Sequence, residues 1–417
     1  MDKILIRGGR PLKGCVHVRG AKNAALPLMA AAILAEKPCI LHNVPCLHDI
    51  FSMDKLLSYM GMQIDFTGRC MTLDATALSN PEAPYDQVRK MRASFFVLGP
   101  LLARHGRARV SMPGGCAIGA RPVDIHLKGL EAMGAKICIE DGYVVAEGAL
   151  HGADFTQEFP SVGATENLLM AACLADGVTR LHNAAREPEI ADLARFLNAM
   201  GAQISGAGTD LITVVGVDHL GGAEHVVMPD RIEAGTFLAA GVATHGDVTV
   251  INARAEHLAA FLDKLREAGA VVETTGDSIR AAARDGIDAV EVTTLPFPGF
   301  ATDLQAQMMA LLTCARGVSV IKETVFENRF MQAAELIRMG ADITLEGNTA
   351  IVRGVEHLSG APVMASDLRA SAALVIAGLM AEKGATAIAR VYHIDRGYER
   401  IEERLAALGA DIERVRE

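Results

Sequence analysis

A four-residue block recurs six times along this chain: Gly, a small or apolar residue, any residue, then Ile or Val. The copies are Gly61-Met-Gln-Ile64, Gly134-Ala-Lys-Ile137, Gly201-Ala-Gln-Ile204, Gly269-Ala-Val-Val272, Gly340-Ala-Asp-Ile343 and Gly409-Ala-Asp-Ile412. Successive copies begin 67 to 73 residues apart. So regular an interval means six copies of one supersecondary unit. Solenoid repeats are usually shorter, about 20 to 50 residues, which favours globular bodies over a stacked array.

An amphipathic stretch precedes each block. Ile190, Leu193, Phe196, Leu197 and Met200 recur at helical intervals, as do Ile401, Leu405 and Leu408. The glycine suits a helix C-cap, where a left-handed residue is needed, and the Ile or Val then opens a strand. Farther upstream in each unit lies a more uniformly apolar segment: 25–35, 94–103, 164–175, 235–243, 303–315 and 368–381. Those segments read as helices buried on most sides. Strand-like runs such as Val248-Thr-Val-Ile251 and Val318-Ser-Val-Ile321 follow most of them. The predicted fold is therefore α/β, with two inside-out lobes (barrel or prism). Each lobe has three βαβαββ-type units, helices inside and sheets outside. Residues 22–229 should form one lobe. Residues 1–21 and 230–417 should form the other, and the double connection suggests a hinge with a binding cleft between the lobes.

Composition narrows the function. The 417 residues are 50% hydrophobic and 22% charged, the balance of a folded globular protein. A net charge of −10 argues against nucleic acid or an anionic membrane surface as partner. Anionic substrates would have to be held by a local cluster of Arg and Lys. The start, Met-Asp-Lys-Ile-Leu-Ile-Arg, has no signal-peptide pattern, and the apolar runs are too short for a membrane span, so a cytoplasmic protein is expected. The eight cysteines show no Cys-x-x-Cys pair, and the 13 histidines no ligand spacing, so neither a structural metal nor a disulfide framework is expected. Neither a Walker A sequence nor a Gly-x-Gly-x-x-Gly after a strand occurs.

Function should show where one copy departs from its relatives. The second unit carries the loop Met112-Pro-Gly-Gly-Cys-Ala-Ile-Gly-Ala-Arg-Pro-Val-Asp124, with three glycines, the lone Cys116 and Arg121. A thiol beside a guanidinium at a helix start can have its ionisation shifted; a mobile turn with an incidental thiol is the plainer account. Lys22, in Gly20-Ala-Lys-Asn-Ala-Ala-Leu-Pro27, stands before a buried helix, where ammonium and backbone N–H groups suit a phosphate. A solvated loop lysine fits the same residue. Asp303, in Gly299-Phe-Ala-Thr-Asp303, reads either as a general base or, with Thr302, as a helix N-cap. Arg369 and Arg92 hold corresponding places in the sixth and second units, and Arg396 follows a strand. A cation entering an apolar helix needs an anionic partner.

These segments, with Ser161-Val-Gly-Ala-Thr165, Asn183-Ala-Ala-Arg-Glu-Pro-Glu189, Thr324-Val-Phe-Glu-Asn-Arg-Phe330 and Tyr392-His-Ile-Asp-Arg-Gly-Tyr-Glu-Arg400, carry a resemblance over essentially the whole chain. It resembles the enolpyruvyl transferase family, in the branch of the UDP-N-acetylglucosamine 1-carboxyvinyltransferases. The resemblance implies transfer of the enolpyruvyl group of phosphoenolpyruvate to the sugar 3-hydroxyl of UDP-N-acetylglucosamine, the first committed step of peptidoglycan synthesis, with no cofactor. It makes Cys116 the general acid toward the methylene carbon, the site of a covalent phosphoenolpyruvate adduct and the target of fosfomycin. Asp303 faces the sugar hydroxyl. Lys22, Asn23, Arg121, Arg369 and Arg396 hold phosphoenolpyruvate, and Lys22 and Arg396 count with Cys116 and Asp303 as catalytic residues. Asn23, Arg92, Arg121, Pro122, Val123, Asp124, Ile125, Ser161, Val162, Gly163, Asp303 and Val325 surround the UDP-sugar. The sequence departs from some relatives at Phe159-Pro160, where they carry a Lys, and at Ala117, where they carry Thr. The alternatives are a 5-enolpyruvylshikimate-3-phosphate synthase-like enzyme and a non-catalytic sugar-nucleotide sensor on the same fold. Ala21-Lys22-Asn23 and Cys116 weigh against the first, and the intact set of candidate residues against the second.

Overall fold

The structure, a computed structural model, describes residues 2–89, 91–113, 123–283 and 285–416. Among these the chain divides into two compact units. Residues 20–113 and 123–228 form a first lobe; 2–19 and 229–416 form a second.

The repeated block marks the same local structure in all six copies. Each glycine ends an outer helix with a positive φ, between 93° at Gly269 and 111° at Gly201. The residue after it then donates its N–H to a leucine carbonyl five positions back. These bonds are Met62 to Leu57, Ala135 to Leu130, Ala202 to Leu197, Ala270 to Leu265, Ala341 to Leu336 and Ala410 to Leu405, all between 2.9 and 3.1 Å. This is the Schellman closure, which satisfies a helix-end carbonyl that would otherwise be orphaned. The Ile or Val that completes the block is the second residue of the following strand every time, as in Gln63–Thr67 and Asp342–Glu346. Alternation turns that side chain toward the core, where Ile343 and Ile412 are buried and Ile64, Ile137, Ile204 and Val272 pack against it.

Each lobe holds three separate four-stranded sheets. In the fifth unit Glu291–Thr293 runs parallel to Val318–Lys322, and the hairpin Asp342–Glu346 and Thr349–Arg353 completes the sheet antiparallel. The inner helix Gln305–Leu312 lies between the two parallel strands in sequence, as a parallel connection requires. Among the described residues the sheets do not join edge to edge and no closed barrel forms; of the two expected shapes, only the open arrangement of separate sheets occurs there.

The N-terminal segment supplies two strands to the second lobe. Asp2–Arg7 pairs antiparallel with Thr386–Ala389 and Asp411–Arg416, and Lys13–His17 pairs parallel with Asp247–Ile251. In the first lobe Glu224–Val226 returns from the third unit to pair with Cys39–His42.

The inner helices are almost wholly buried because they are apolar on all sides. Arg231–Ala243, Gln305–Leu312 and Leu368–Met380 pack on one another in the second lobe. In the first lobe Leu98–His105 packs on Val162–Ala172, and Gly99 makes the contact possible. Its N–H reaches Asn167 Oδ1 at 2.6 Å, and a Cβ there would lie 2.4 Å from the Asn167 carbonyl.

Candidate functional site

Asp303 lies in the 3-10 turn Thr302–Leu304 that leads into the helix Gln305–Leu312. It is not an N-cap, because neither Thr302 nor Asp303 bonds the backbone there. Its carboxylate is instead clamped between two guanidiniums. Arg369 Nη2 donates to Oδ2 at 2.6 Å, and Arg329 Nη2 donates to Oδ1 at 2.7 Å. Arg369 enters at the second position of Leu368–Met380, where Asp367 caps the helix by accepting from Arg369 N and Ala370 N. Both arginine side chains are over nine-tenths buried, while about a quarter of Asp303 stays exposed. Burial would raise the Asp303 pKa, but Arg369 and Arg329 outweigh it and hold the carboxyl well below the usual range. Burial likewise opposes the charge on Arg369, and Asp303 overcomes it.

Arg329 had no role in the sequence reading, although it stands in the segment Thr324–Phe330 that carried the resemblance. The missed signal was chemical: a carboxylate near a buried arginine leaves one lone-pair edge for a second cation. Arg329 is fixed in turn by Thr302 Oγ1, at 2.9 Å, and by the ring of Phe326, 5.3 Å away. Thr302 donates to Glu323 Oε2 at 2.8 Å. The other oxygen of Glu323 accepts from Thr294 Oγ1 and from the N–H groups of Val325 and Phe326. The backbone at Val325 is thereby ordered by a buried carboxylate. Arg396 ends the 3-10 turn Val391–Arg396 in the same lobe and is partly exposed.

In the first lobe Lys22 is the first residue of the helix Lys22–Ala31, buried rather than solvated. Its ammonium lies 3.0 Å from Asp49 Oδ2, in the first turn of His48–Tyr59. Asn23 follows it, partly exposed, and Arg92 opens the 3-10 turn Arg92–Val97.

Ser161 caps the helix Val162–Ala172, accepting from Ala164 N at 3.3 Å. Val162 and Gly163 form its first turn. A Cβ at Gly163 would lie 3.3 Å from Phe96 and 3.5 Å from His126 Nε2, so this turn is in close contact with the helix Asp124–Ala132. Val123 precedes that helix, and Asp124 and Ile125 open it.

His126 follows them in the chain and was not among the expected residues. Gly99 N–H fixes the buried Asn167 amide with its oxygen toward Gly99, so Asn167 Nδ2 donates to Phe95 O and to His126 Nδ1 at 3.1 Å. The His126 proton is therefore on Nε2, the edge nearest Gly163. One turn beyond Gly163, Glu166 is fully buried, and neither carboxyl oxygen has a hydrogen-bond partner. Burial, then Glu189 and Glu187, push its pKa well above the usual value.

Cys116, Arg121 and Pro122 lie outside the described residues. Among the described residues no three potential ligands cluster to hold a metal, and no helix is long and apolar enough to cross a membrane. An open concavity of about 750 Å³ in the first lobe, lined by Glu36, Lys37, Met200, Asp218 and His219 among others, contains none of the expected site residues.

The described residues give six α/β units in two lobes, with buried cations and, at Asp303, a carboxylate clamped between two guanidiniums, and the comparisons with known proteins give the chain a family. The EPSP synthase (3-phosphoshikimate 1-carboxyvinyltransferase) family matches residues 6–405. The enolpyruvyl transferase NikO from Streptomyces tendae superposes with a TM-score of 0.89 at 26% identity, covering 99% of this chain and 98% of its own. EPSP synthase from Acinetobacter baumannii superposes over 100% of both chains with a TM-score of 0.77 at 19% identity, which speaks for the fold alone. The chain belongs to this family of carboxyvinyltransferases. Its place within the family is with the UDP-N-acetylglucosamine 1-carboxyvinyltransferases. Proteins of that name from Desulfosudis oleivorans and Magnetococcus marinus are each 57% identical to it over 100% of both chains.

Proposed function

We propose that this chain is a cytoplasmic enzyme that transfers the enolpyruvyl group of phosphoenolpyruvate to the 3-hydroxyl of UDP-N-acetylglucosamine and releases phosphate, the first committed step of peptidoglycan synthesis. The observation that carries this reading is the 57% identity, end to end, with relatives bearing the name of that activity.

The chemistry accounts for the residues. A sugar hydroxyl adds to C2 of the enol phosphate while C3 takes a proton, and the tetrahedral intermediate then loses phosphate from C2 and a proton from C3, restoring the double bond. One group must give a proton and another take one at the same pH. A thiol, protonated at neutral pH, and a carboxylate, ionised there, meet that demand. In this reading Cys116 protonates C3 and Asp303 receives the hydroxyl proton. Lys22, Arg121, Arg369 and Arg396 balance the charge of carboxylate and phosphate. Asn23, Arg92, Arg121 to Ile125, Ser161 to Gly163 and Val325 receive the sugar nucleotide.

The clamp on Asp303 adds an ordering to this scheme. With both oxygens accepting from guanidiniums, the carboxylate is a weak base. A substrate anion that shares Arg369 draws positive charge away from Asp303 and raises its basicity. Phosphoenolpyruvate binding and activation of the base are then one event.

The test is phosphate release from phosphoenolpyruvate with either acceptor. Release with UDP-N-acetylglucosamine and none with shikimate-3-phosphate is expected. Release only with shikimate-3-phosphate points to the related synthase activity, and release with neither to a binding protein.

A further inference from the structure

Tyr398 is the largest wholly buried side chain in the molecule's described core, and its hydroxyl is where the three inner helices of the second lobe meet. Thr236 comes from Arg231–Ala243, Gln307 from Gln305–Leu312 and Arg369 from Leu368–Met380. The hydroxyl is 2.8 Å from Thr236 Oγ1, 3.3 Å from Gln307 Nε2 and 3.5 Å from Arg369 Nη1.

The protons in this cluster have one consistent arrangement. Thr236 spends its own O–H on the Ile232 carbonyl at 2.8 Å. Its oxygen must therefore accept, from Tyr398 O–H and from Gln307 Nε2 at 3.1 Å. Tyr398, having donated to Thr236, offers its lone pairs to Gln307 and Arg369. The phenol is thus held by two helices and presents an acceptor to the third.

We propose that Tyr398 is a positioning residue for the phosphoenolpyruvate-binding cations, an inference that rests on the function given above. Arg369 has Nη2 on Asp303 and Nη1 on Tyr398. Any anion that engages Arg369 competes with the Asp303 bond but leaves the buried Tyr398 contact in place, so the guanidinium keeps its plane as ligands exchange. Preserving that plane matters because a misplaced cation loses much of its effect on a bound anion. The backbone of the same residue adjoins a second cation. The Tyr398 and Gly397 N–H groups both bond the Ile394 carbonyl, at 2.9 and 3.0 Å, closing the turn that ends in Arg396.

Tyr398→Phe removes the hydroxyl and keeps the ring. Steady-state kinetics of the full-length variant should show KM for phosphoenolpyruvate raised about tenfold, the scale of one lost hydrogen bond to a charged group. KM for UDP-N-acetylglucosamine and kcat should each change less than threefold. A lower melting temperature with unchanged KM for both substrates would leave Tyr398 a structural residue only and overturn the proposal. Should Tyr398→Phe not fold, Thr236→Val removes the acceptor that orients the phenol. It should raise the same KM about threefold, and an unchanged KM there overturns the proposal equally. Wild-type protein that releases no phosphate with either acceptor fails the proposed function itself, a result distinct from wild-type turnover with an indifferent Tyr398→Phe.

Discussion

Asp303 and Glu166 are carboxyl groups whose surroundings drive them in opposite directions, and pH separates their effects. The folded-state pKa of Asp303 is depressed by Arg369 and Arg329 against the pull of burial. It therefore contributes stability that is fully present above the unfolded carboxylate pKa of about 3.9 and is lost as pH falls through the lower folded value. Asp303→Asn should lower stability by about 2 kcal/mol from pH 5 to 8, the gap closing only in stronger acid. Its kcat should fall about 10²- to 10⁴-fold while the sugar nucleotide still binds. Calorimetric binding beside turnover checks both, and near-normal kcat removes Asp303 as the base. Glu166 has a raised folded pKa, so it costs stability as pH climbs from the unfolded value toward the folded one. Glu166→Gln should melt higher than wild type at pH 8 and equally at pH 4; equal melting at both values contradicts a buried neutral acid. Among the thiols, burial pushes Cys173 up to about 12 and also raises Cys39 and Cys314, while a hydrogen bond to Glu140 raises Cys138. The assigned role of Cys116 predicts that fosfomycin labels it, and mass spectrometry of Cys116→Asp should show no adduct; an adduct on another cysteine refutes the assignment. At this scale the sequence pointed to Asp303 and Arg369, because a charge opening an apolar helix stands out. It did not reveal Arg329, Tyr398 or the partner of Lys22, since each of those contacts joins residues distant in the chain.

The unit of this fold is a helix closed by a Schellman turn and continued as a strand, and glycine is what makes the closure inexpensive. Gly201 has φ of 111°, and nothing lies within 4 Å of where a Cβ would be. Any cost of Gly201→Ala is therefore conformational rather than steric, about 1–2 kcal/mol. Chemical denaturation should show a lower midpoint with unchanged slope, and an unchanged midpoint contradicts the closure argument. The elements were readable from the sequence because their signals are local: 3.6-residue periodicity, a C-terminal glycine, then Ile or Val at the second strand position. Two details were not. Three of the inner helices take a side-chain cap, from Ser161, Asp230 and Asp367, whereas the turn carrying Asp303 takes none. Asp303 satisfies its oxygens on arginines instead, a choice made by neighbours 26 and 66 residues away.

For the whole molecule, the first strands matter out of proportion to their length. Asp2–Arg7 occupies the place in its sheet that a local hairpin strand fills in the other five, and Lys13–His17 supplies an edge to another sheet. Deleting residues 2–17 should leave two sheets of the second lobe incomplete. Limited proteolysis should then degrade 229–416 faster than 20–228; a single wild-type-like thermal transition would contradict this. The amino-acid sequence by itself determined the six-unit count, the α/β class, the inner and outer helices and the residue types of the candidate chemistry, because periodicity, capping and burial preference act over a few residues. Tertiary structure alone decided which guanidiniums clamp Asp303, that Lys22 is buried against Asp49, that three helices converge on Tyr398 and that the sheets stay separate. Those outcomes depend on closing long loops and matching charges inside a desolvated core, and no local pattern encodes which distant partner satisfies which group.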